Sequence, residues 1–230
     1  MRFQDAARDG RAVVYAAIQA DSLVTRAATA LADADRAERV LARAVMNGQR
    51  TEPAAWRRMF PTLFGSAASE VRRDRAEAIL TLSLAVADRG EQVRSQVRGA
   101  IVEALTGALL ARRGSAAAAA VRRERRILFD GVPAEIHPYD VTVELADRAE
   151  AWDCKWGARG IGPDVLHQLD DARSHAADED EQLVAGLVVF DAERSCRVRL
   201  DRETAPHAET RLVTLETLDD LAGAGSAGDR

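Results

Sequence analysis

The stretch from Tyr139 to Gly157, YDVTVELADRAEAWDCKWG, alternates apolar and polar side chains on both sides of a short polar break. The apolar positions of its two arms are Val141, Val143 and Leu145, then Trp152, Cys154 and Trp156. The polar positions between them are Asp140, Thr142 and Glu144, then Asp153 and Lys155. Because successive side chains of a β-strand point to opposite faces, this period of two predicts two strands joined by a turn.

A two-residue turn at Asp147-Arg148 predicts the register of this hairpin. It places Thr142 opposite Asp153 and Asp140 opposite Lys155. Since opposed residues project to the same side of the sheet, the two aspartates and the lysine share a polar face, and the other face is apolar. The Asp-Arg turn lacks the glycine that type I′ turns favour, so a bulge or a longer loop of the same parity is the alternative.

The polar face of the hairpin has the composition of a metal site. Two converging carboxylates repel each other unless a cation lies between them, and their hard oxygen atoms suit Mg²⁺. Such an ion activates water and stabilises charge on a phosphate, and Lys155 adds a second positive group. The structural alternative is a surface ion-pair ladder of Asp140 with Lys155, which stabilises a protein little.

The spacing D-x12-D-x-K resembles the signature of PD-(D/E)XK nucleases. Upstream, Gly99-Ala-Ile-Val-Glu103 is similar to the G-x-x-x-E helix of Mrr-like restriction endonucleases and Holliday junction resolvases. Asp153-Cys-Lys155-Trp is close to the acid/Gln-Cys-Lys strand of the Mrr-like group, and Leu166-His-Gln168-Leu falls where that group has a helix with a glutamine. The resemblance covers roughly residues 95 to 200, but Pro138 precedes Tyr139, so the Pro-Asp dipeptide is absent.

The resemblance implies an α/β (α+β) fold of the restriction-endonuclease-like type. Its core has a central mixed β-sheet flanked by helices, in the order α-β-β-β-α-β, and a helical region precedes it. Helical patterns predict a helical region at residues 1–90, and the resemblance implies a nuclease-like domain at 91–217. Glycine, alanine and charged residues predict a flexible tail at 218–230.

The same resemblance implies Mg²⁺- or Mn²⁺-dependent hydrolysis of phosphodiester bonds in DNA. Asp140, Asp153 and the Cys154 carbonyl would hold the ion, and Lys155 would position the attacking water. Glu103 would be a further ligand, although a glutamate on a helix is more often exposed to solvent. The residues expected to contact the nucleic-acid backbone are Gln168, Arg122, Arg123, Arg125 and Arg126.

Periodicity and capping residues predict the other elements. The predicted helices cover the first twenty residues, then 22–48, a short segment from Pro53, 69–87, 91–113 and 164–176. The predicted strands are 121–129, the unbroken apolar run 183–190, and 197–200. Asp130-Gly131 predicts a turn. The stretch 115–120, mostly alanine, fits a helix but stands where the nuclease fold needs a strand soon afterwards.

Composition limits the remaining functions. A net charge of −5 argues against binding nucleic acid over the whole surface, although local arginine clusters need only a local surface. Two cysteines form no disulfide framework and no apolar run has the length of a membrane span, so we expect a cytoplasmic protein without membrane contact. A homodimer and an ATPase or methyltransferase partner are further expectations. The alternatives are a catalytically silent nuclease-fold module that binds nucleic acid or protein, and a structural helical dimer.

Overall fold

The computed structural model describes residues 1–6, 10–48, 52–133, 137–203 and 210–223. The chain forms two compact units, which we call the helical unit (Gly10–Leu105) and the sheet unit (Met1–Asp9 and Thr106–Arg230). The chain therefore begins in the sheet unit, runs through the helical unit and returns. Residue 90, where the sequence predicts the end of the helical region, lies inside the helical unit.

The helical unit contains a series of short and medium helices. They are α1 (Gly10–Gln19), α2 (Ser22–Ala32), α3 (Arg36–Asn47), α4 (Pro53–Met59), α5 (Pro61–Phe64), α6 (Glu70–Ala87) and the first part of α7 (Glu91–Ala111). The predicted helix at 69–87 is confirmed as α6, and the Ser69 hydroxyl caps it by accepting a hydrogen bond from the Arg72 N–H at 3.3 Å. Pro53 lies in the first turn of α4, where a backbone N–H has no acceptor within the helix, so its missing N–H loses no hydrogen bond.

The single long helix predicted from residue 22 to residue 48 is wrong, because two helices occupy that stretch. The Asp21 carboxylate caps α2 by accepting from the Leu23 N–H at 2.9 Å. Asp35 then starts α3 with a capping box: its carboxylate accepts from the Glu38 N–H, and the Glu38 carboxylate accepts from the Asp35 N–H. Two reciprocal bonds to backbone donors favour a new helix start over continuation of the first helix.

The core of the helical unit lies where α3, α4, α5 and α6 meet. Its buried members are Leu41, Val45, Trp56, Leu63, Ala76 and Leu80. Leu41 and Leu63 are completely inaccessible to solvent. Trp56 and Leu63, which follow Pro53 in the sequence, therefore complete this core.

The sheet unit is an α/β structure around one mixed sheet. Its strands are β1 (Arg2–Asp5), β2 (Val121–Phe129), β3 (Val132–Pro133), β4 (Tyr139–Glu144), β5 (Ala149–Lys155), β6 (Leu183–Val189) and β7 (Arg211–Val213). Within the described residues the order is β1-β2-β4-β5-β6-β7, and β3 pairs with β2 alone. The pairs from β1 to β5 are antiparallel, whereas β5, β6 and β7 are parallel. The predicted mixed α/β sheet is confirmed.

Helices cover this sheet and connect its strands. They are the end of α7, then α8 (Ser115–Ala120), α9 (Pro163–Asp178) and α10 (Glu193–Leu200). The apolar side of α9 packs on the sheet through Leu166, Leu169 and Ala172, all completely buried. The predicted apolar strand at 183–190 is confirmed as β6, and the predicted turn follows β2, with φ of 50° at Asp130 and 81° at Gly131. Among the described helices, none combines the length and apolar character needed to cross a membrane.

Three expectations at the ends of the chain need correction. The first residues form the edge strand β1 rather than the start of a helix. Residues 197–200, predicted as a strand, belong to α10, and the last strand of the sheet is β7. Residues 218–222 of the predicted flexible tail form a 3-10 helix, because Leu218 and Leu221 lie one turn apart and are both buried. Residues 224–230 of that tail lie outside the described part of the chain.

Candidate functional site

The β4–β5 hairpin has the predicted parity but a different register. Val141 pairs with Trp152 and Thr142 pairs with Ala151, so the observed partners are displaced by two residues from the predicted ones. The reason is the turn: residues 145–148 form a four-residue loop, closed by the Leu145 N–H donating to the Arg148 carbonyl at 3.1 Å. A displacement of two leaves every side chain on its predicted face.

Asp140 lies at the beginning of β4, next to the end of β5. Extension of the observed register by one pair places it opposite Asp153 rather than opposite Lys155. Its Oδ2 accepts a hydrogen bond from the Cys154 N–H at 2.6 Å, which anchors the carboxylate against the backbone of β5. The N–H and C=O of a strand residue point toward the same edge, so the Cys154 carbonyl also faces the side of β5 on which Asp140 lies.

Asp153 and Lys155 form an ion pair at the end of β5. The Lys155 Nζ lies 2.8 Å from Oδ1 of Asp153, whose side chain is 8% exposed, while that of Lys155 is 25% exposed. Burial opposes the charged form of Lys155, but the carboxylates of Asp153 and Asp140 outweigh burial and raise the pKa of the ammonium group above its usual value. The structure thus brings Asp140, Asp153 and Lys155 together, as two carboxylates beside one ammonium group.

Lys155 is the only lysine among the 32 basic residues of this chain. A guanidinium group is planar, broad and permanently charged, whereas an ammonium group is compact and places its charge at one point. The other members of this set are all arginines, and the single lysine pairs with Asp153, a candidate metal ligand. The isolated lysine is therefore a sequence signal for the site that is independent of the spacing of the aspartates.

The loop after β5 holds the stem of Lys155. A Cβ atom on Gly160 would lie 3.0–3.1 Å from the Cβ, Cγ and Cδ atoms of Lys155, so only glycine lets the loop approach this closely. The 3-10 turn Ala158–Gly160 is fixed by Asp191, whose Oδ2 accepts from the Ala158 N–H at 3.0 Å. Asp191 is 7% exposed and directly follows the apolar run of β6. Sequence reasoning missed this residue, although an acid at the end of a buried strand could have indicated it.

The site lies at the carboxyl edge of the parallel strands. β5 ends at Lys155 and β6 ends at Val189, which are partners in the parallel register. The rings of Trp156 and Phe190, the next residue of each strand, stack with centroids 5.0 Å apart. In open α/β sheets, ligands bind outside the carboxyl ends of the strands, so this edge is the usual position for a binding site.

Glu103, predicted as a metal ligand, lies in the helical unit on α7 and is 3% exposed. Its carboxylate accepts hydrogen bonds from the Tyr15 hydroxyl and from the Gln19 amide, the latter at 2.8 Å. Within the described residues, no group of three or more His, Cys, Asp or Glu side chains is arranged to hold a metal ion. A Mg²⁺ ion often takes only one or two carboxylates and fills its other positions with water and phosphate oxygens. Asp140 and Asp153 with the Cys154 carbonyl fit that smaller donor set.

Gln168, predicted to contact nucleic acid, lies on α9 and is only 5% exposed. Its Oε1 accepts from the His137 N–H at 3.2 Å, and its backbone carbonyl accepts from the Tyr139 hydroxyl at 3.3 Å. Its Nε2 is buried and has no acceptor within the described part of the chain. Gln168 therefore supports the segment that leads into β4 from inside the sheet unit.

The four arginines predicted to contact nucleic acid all lie on β2, but they differ in their contacts. Arg125 is bound by two carboxylates, Glu144 with N–O at 2.7 Å and Asp5. The Arg122 guanidinium donates to the carbonyls of Ala119 and Val121 at 2.7 and 2.9 Å. Arg122 and Arg123 are exposed, and Arg126 is half-buried. The cluster is therefore not one uniform basic surface.

Comparisons with known proteins find no match to this chain: no family model, no curated protein and no solved structure matches it. The residues and geometry of the hairpin therefore carry the functional interpretation.

Proposed function

We propose that this chain is a metal-dependent nuclease that hydrolyses phosphodiester bonds in DNA. The observation that carries the proposal is the convergence of Asp140, Asp153 and Lys155 at the carboxyl edge of β5. Two carboxylates beside one ammonium group combine a cation site with a donor for a phosphate oxygen. A cytoplasmic location, a homodimer and an ATPase or methyltransferase partner stay predictions, as does a role for Glu103 as a ligand.

The order of the elements supports the proposal. Along the chain, α7, β2, β4, β5, α9 and β6 follow one another in the α-β-β-β-α-β succession expected from the resemblance, and the two-residue β3 is an addition. Asp140 stands on the second strand of this succession and Asp153 with Lys155 on the third. These are the positions that the D-x12-D-x-K spacing assigns to the acids and the lysine.

Asp140, Asp153 and the Cys154 carbonyl would hold one Mg²⁺ or Mn²⁺ ion. Such an ion supplies positive charge to a phosphate and makes a bound water more acidic. Asp140 is already oriented by the Cys154 N–H, so that its carboxylate does not need to be ordered when an ion arrives. Asp153 is nearly buried, so its charge acts at short range and with little screening by solvent.

Lys155 would place a positive charge beside the non-bridging oxygen atoms of the scissile phosphate. Its ion pair with Asp153 and its contact with Gly160 restrict the ammonium group to the space next to the two acids. Positive groups that are held in place before the reaction stabilise the charge that develops in a phosphoryl-transfer transition state. A flexible surface lysine would lose part of that effect because the group must first be ordered.

A cleavage assay tests the proposed nuclease activity. Duplex DNA, single-stranded DNA and RNA are each incubated with the purified protein and Mg²⁺ or Mn²⁺, and cleavage products are separated on denaturing gels. We expect cleavage that EDTA abolishes and that Lys155→Ala lowers by roughly 100-fold or more. Lys155→Arg keeps the charge but not the compact ammonium group, so we expect it to resemble Lys155→Ala. Arg202→Ala removes one exposed positive charge elsewhere in the sheet unit and is the matched control.

Binding of the divalent ion gives a second readout. Calorimetry with Mn²⁺ should show binding to the natural protein and loss of binding in a variant with both Asp140→Asn and Asp153→Asn. Absence of cleavage on every substrate, together with Mn²⁺ binding that does not depend on these acids, contradicts the proposed activity. The catalytically silent nuclease-fold module would then be the better description.

A further inference from the structure

A second charged site lies at the opposite end of the sheet from the aspartates. A cleft of about 530 Å³ opens where the parallel strands begin, at Ala149 and Glu150 of β5, Val184 of β6 and Arg211 of β7. We call it the arginine cleft, because three arginines line it: Arg113, Arg148 and Arg211. Its volume falls within the range of roughly 300–1,000 Å³ that small-molecule sites occupy.

The arginine cleft is separate from the candidate active site. Glu150 and Trp152 alternate with Ala151 and Asp153 along β5, so they project from the other face of the sheet. The start of β5 is six residues from Lys155, which corresponds to roughly 20 Å along an extended strand. A ligand in this cleft therefore leaves the metal-binding acids free.

One arginine of the cleft is fixed and neutralised. Glu150 is 7% exposed and accepts hydrogen bonds from the Arg113 guanidinium and from the Trp152 indole N–H, the latter at 3.1 Å. The Arg113 Nε also donates to the Leu221 carbonyl at 2.6 Å. Buried carboxylates are stable only when they are paired and hydrogen-bonded, and Glu150 meets both conditions. Arg113 and Glu150 therefore form a rigid wall with no net charge.

Arg211 is held over an aromatic ring. Its guanidinium carbon lies 5.3 Å from the ring centroid of Trp152, the distance of a cation–π contact. Gly186 makes this arrangement possible, because a Cβ there would lie 2.5 Å from the Arg211 carbonyl oxygen and 2.7 Å from the Trp152 ring. The aromatic ring carries no charge of its own, so Arg211 contributes a positive group to the lining of the cleft.

The remaining charges leave the cleft positive. Within the described part of the chain, neither Arg148 nor Arg211 forms an ion pair with a carboxylate. Asp220 is the other acid that lines the cleft, so two unpaired arginines face one acid after Arg113 and Glu150 cancel. Two guanidinium groups at one cleft repel each other unless an anion lies between them.

We propose that the arginine cleft binds a phosphate group. Guanidinium groups match the oxygen atoms of phosphate in two-pronged hydrogen bonds, and the cleft offers two arginines whose bonds are not used by carboxylates. The phosphate belongs either to a phosphorylated small molecule or to a nucleic-acid strand, and both present the same group to the arginines. The proposal does not depend on the nuclease activity, because none of these residues contributes to the acid–lysine site.

Calorimetry tests phosphate binding directly. The full chain is titrated with inorganic phosphate, with adenosine 5′-monophosphate and with a 12-nucleotide single strand, in EDTA and at constant ionic strength set with chloride. We expect Arg148→Gln combined with Arg211→Gln to raise the dissociation constant for inorganic phosphate at least about tenfold. Arg202→Gln removes one exposed charge outside the cleft and should leave that constant unchanged.

Comparison of the dissociation constants of the three titrants distinguishes the sources of the phosphate. Tighter binding of the mononucleotide than of inorganic phosphate, lost in the double variant, identifies a small-molecule site. Tighter binding of the 12-nucleotide strand, lost in the same way, identifies a nucleic-acid contact. The single change Arg148→Gln affects only an exposed loop residue, so it keeps the test valid even if the double variant folds poorly. Equal phosphate binding by the natural protein and Arg148→Gln, or no binding by the natural protein at millimolar phosphate, overturns the proposal.

Discussion

The helical unit and the sheet unit both place carboxylates beside basic side chains, and two of these groups differ in the number of acids per cation. In the helical unit, Glu38 is completely buried, lies 2.7 Å from the Arg75 guanidinium and also caps α3. In the sheet unit, Asp153 pairs with the Lys155 ammonium group at 2.8 Å, and the half-buried Asp140 also raises the pKa of that group. In the first arrangement, one carboxylate stabilises a helix start and pairs with one guanidinium group. The second places two acids beside one ammonium group, and the two acids repel each other unless a cation lies between them. Burial of a carboxylate alone therefore does not indicate function, whereas two acids beside one ammonium group form a candidate cation site.

The largest expected effect separates catalysis from stability at the site of Asp140, Asp153 and Lys155. In Asp140→Asn, the amide oxygen still accepts the hydrogen bond from the Cys154 N–H, so we expect the fold to persist. Loss of the charge should lower cleavage by roughly 100- to 1,000-fold. The urea midpoint should stay the same or rise, because one of two repelling acids is gone. Cleavage rates and urea unfolding of the same preparation check both outcomes, and full activity in this variant would remove Asp140 from the site.

The pair of Glu38 and Arg75 in the helical unit should give the opposite result. Glu38→Ala removes the capping box of α3 and the ion pair with Arg75, so we expect the free energy of unfolding to fall by about 3 kcal/mol. The cleavage rate of the folded fraction should not change. Urea unfolding followed by circular dichroism measures the loss, and Glu52→Ala is the control, because Glu52 makes no side-chain capping bond. A loss of cleavage without a loss of stability would contradict the distinction between the two units.

A smaller effect tests how Lys155 is held. In Gly160→Ala the new Cβ would press on the stem of Lys155 at 3.0–3.1 Å, and the ammonium group should move away from Asp153. We expect cleavage to fall roughly tenfold, with little change in stability. Gly162→Ala is a matched control, since a Cβ at that glycine would meet no atom within 4 Å. Equal rates for both variants would show that the loop does not position Lys155.

The smallest effect concerns a solvent-exposed pair in the helical unit. The Arg57 guanidinium lies 2.6 Å from the Glu77 carboxylate, and both side chains are about 40% exposed. A double-mutant cycle with Arg57→Ala and Glu77→Ala should give a coupling of about 0.5 kcal/mol at pH 7. The hydrogen bond from Arg57 lowers the pKa of Glu77 in the folded protein. The coupling should therefore be complete above the unfolded pKa of Glu77 and disappear as the pH falls through its lower folded pKa. A coupling that persists at pH 2 would contradict this assignment.

Local patterns in the sequence predict much of the fold and the centre of the site. Alternation predicts the two hairpin strands, and parity alone places Asp140, Asp153 and Lys155 on one side of the sheet. The register was not predictable, because a turn without glycine does not indicate whether two or four residues form the loop. The predicted faces of the hairpin are nevertheless correct, because only a register shift by an even number of residues keeps the apolar face buried.

The features that could not be predicted depend on contacts between distant parts of the chain. Glu103 has the pattern of a helical glutamate, but its partners Tyr15 and Gln19 come from another helix. Asp191 supports the loop beside Lys155 through a bond to Ala158, more than thirty residues away. β1 has only four residues and little buried surface, so its own sequence does not indicate that it pairs with β2.

The pairing of β1 has a consequence for how the chain is made. Residues 2–5 pair with residues 125–128, and the whole helical unit is synthesised between them. A compact unit can fold as soon as it leaves the ribosome, whereas β1 must wait for a partner that does not yet exist. In refolding of the full chain, the same pairing must close a loop of roughly 120 residues, which is slow compared with local helix contacts. Hydrogen-exchange pulse labelling during refolding should therefore show protection of the β1 amides after those of the helical unit; simultaneous protection would contradict this order. Until β2 emerges, the first strand of the chain remains an unpaired edge that other nascent chains can bind.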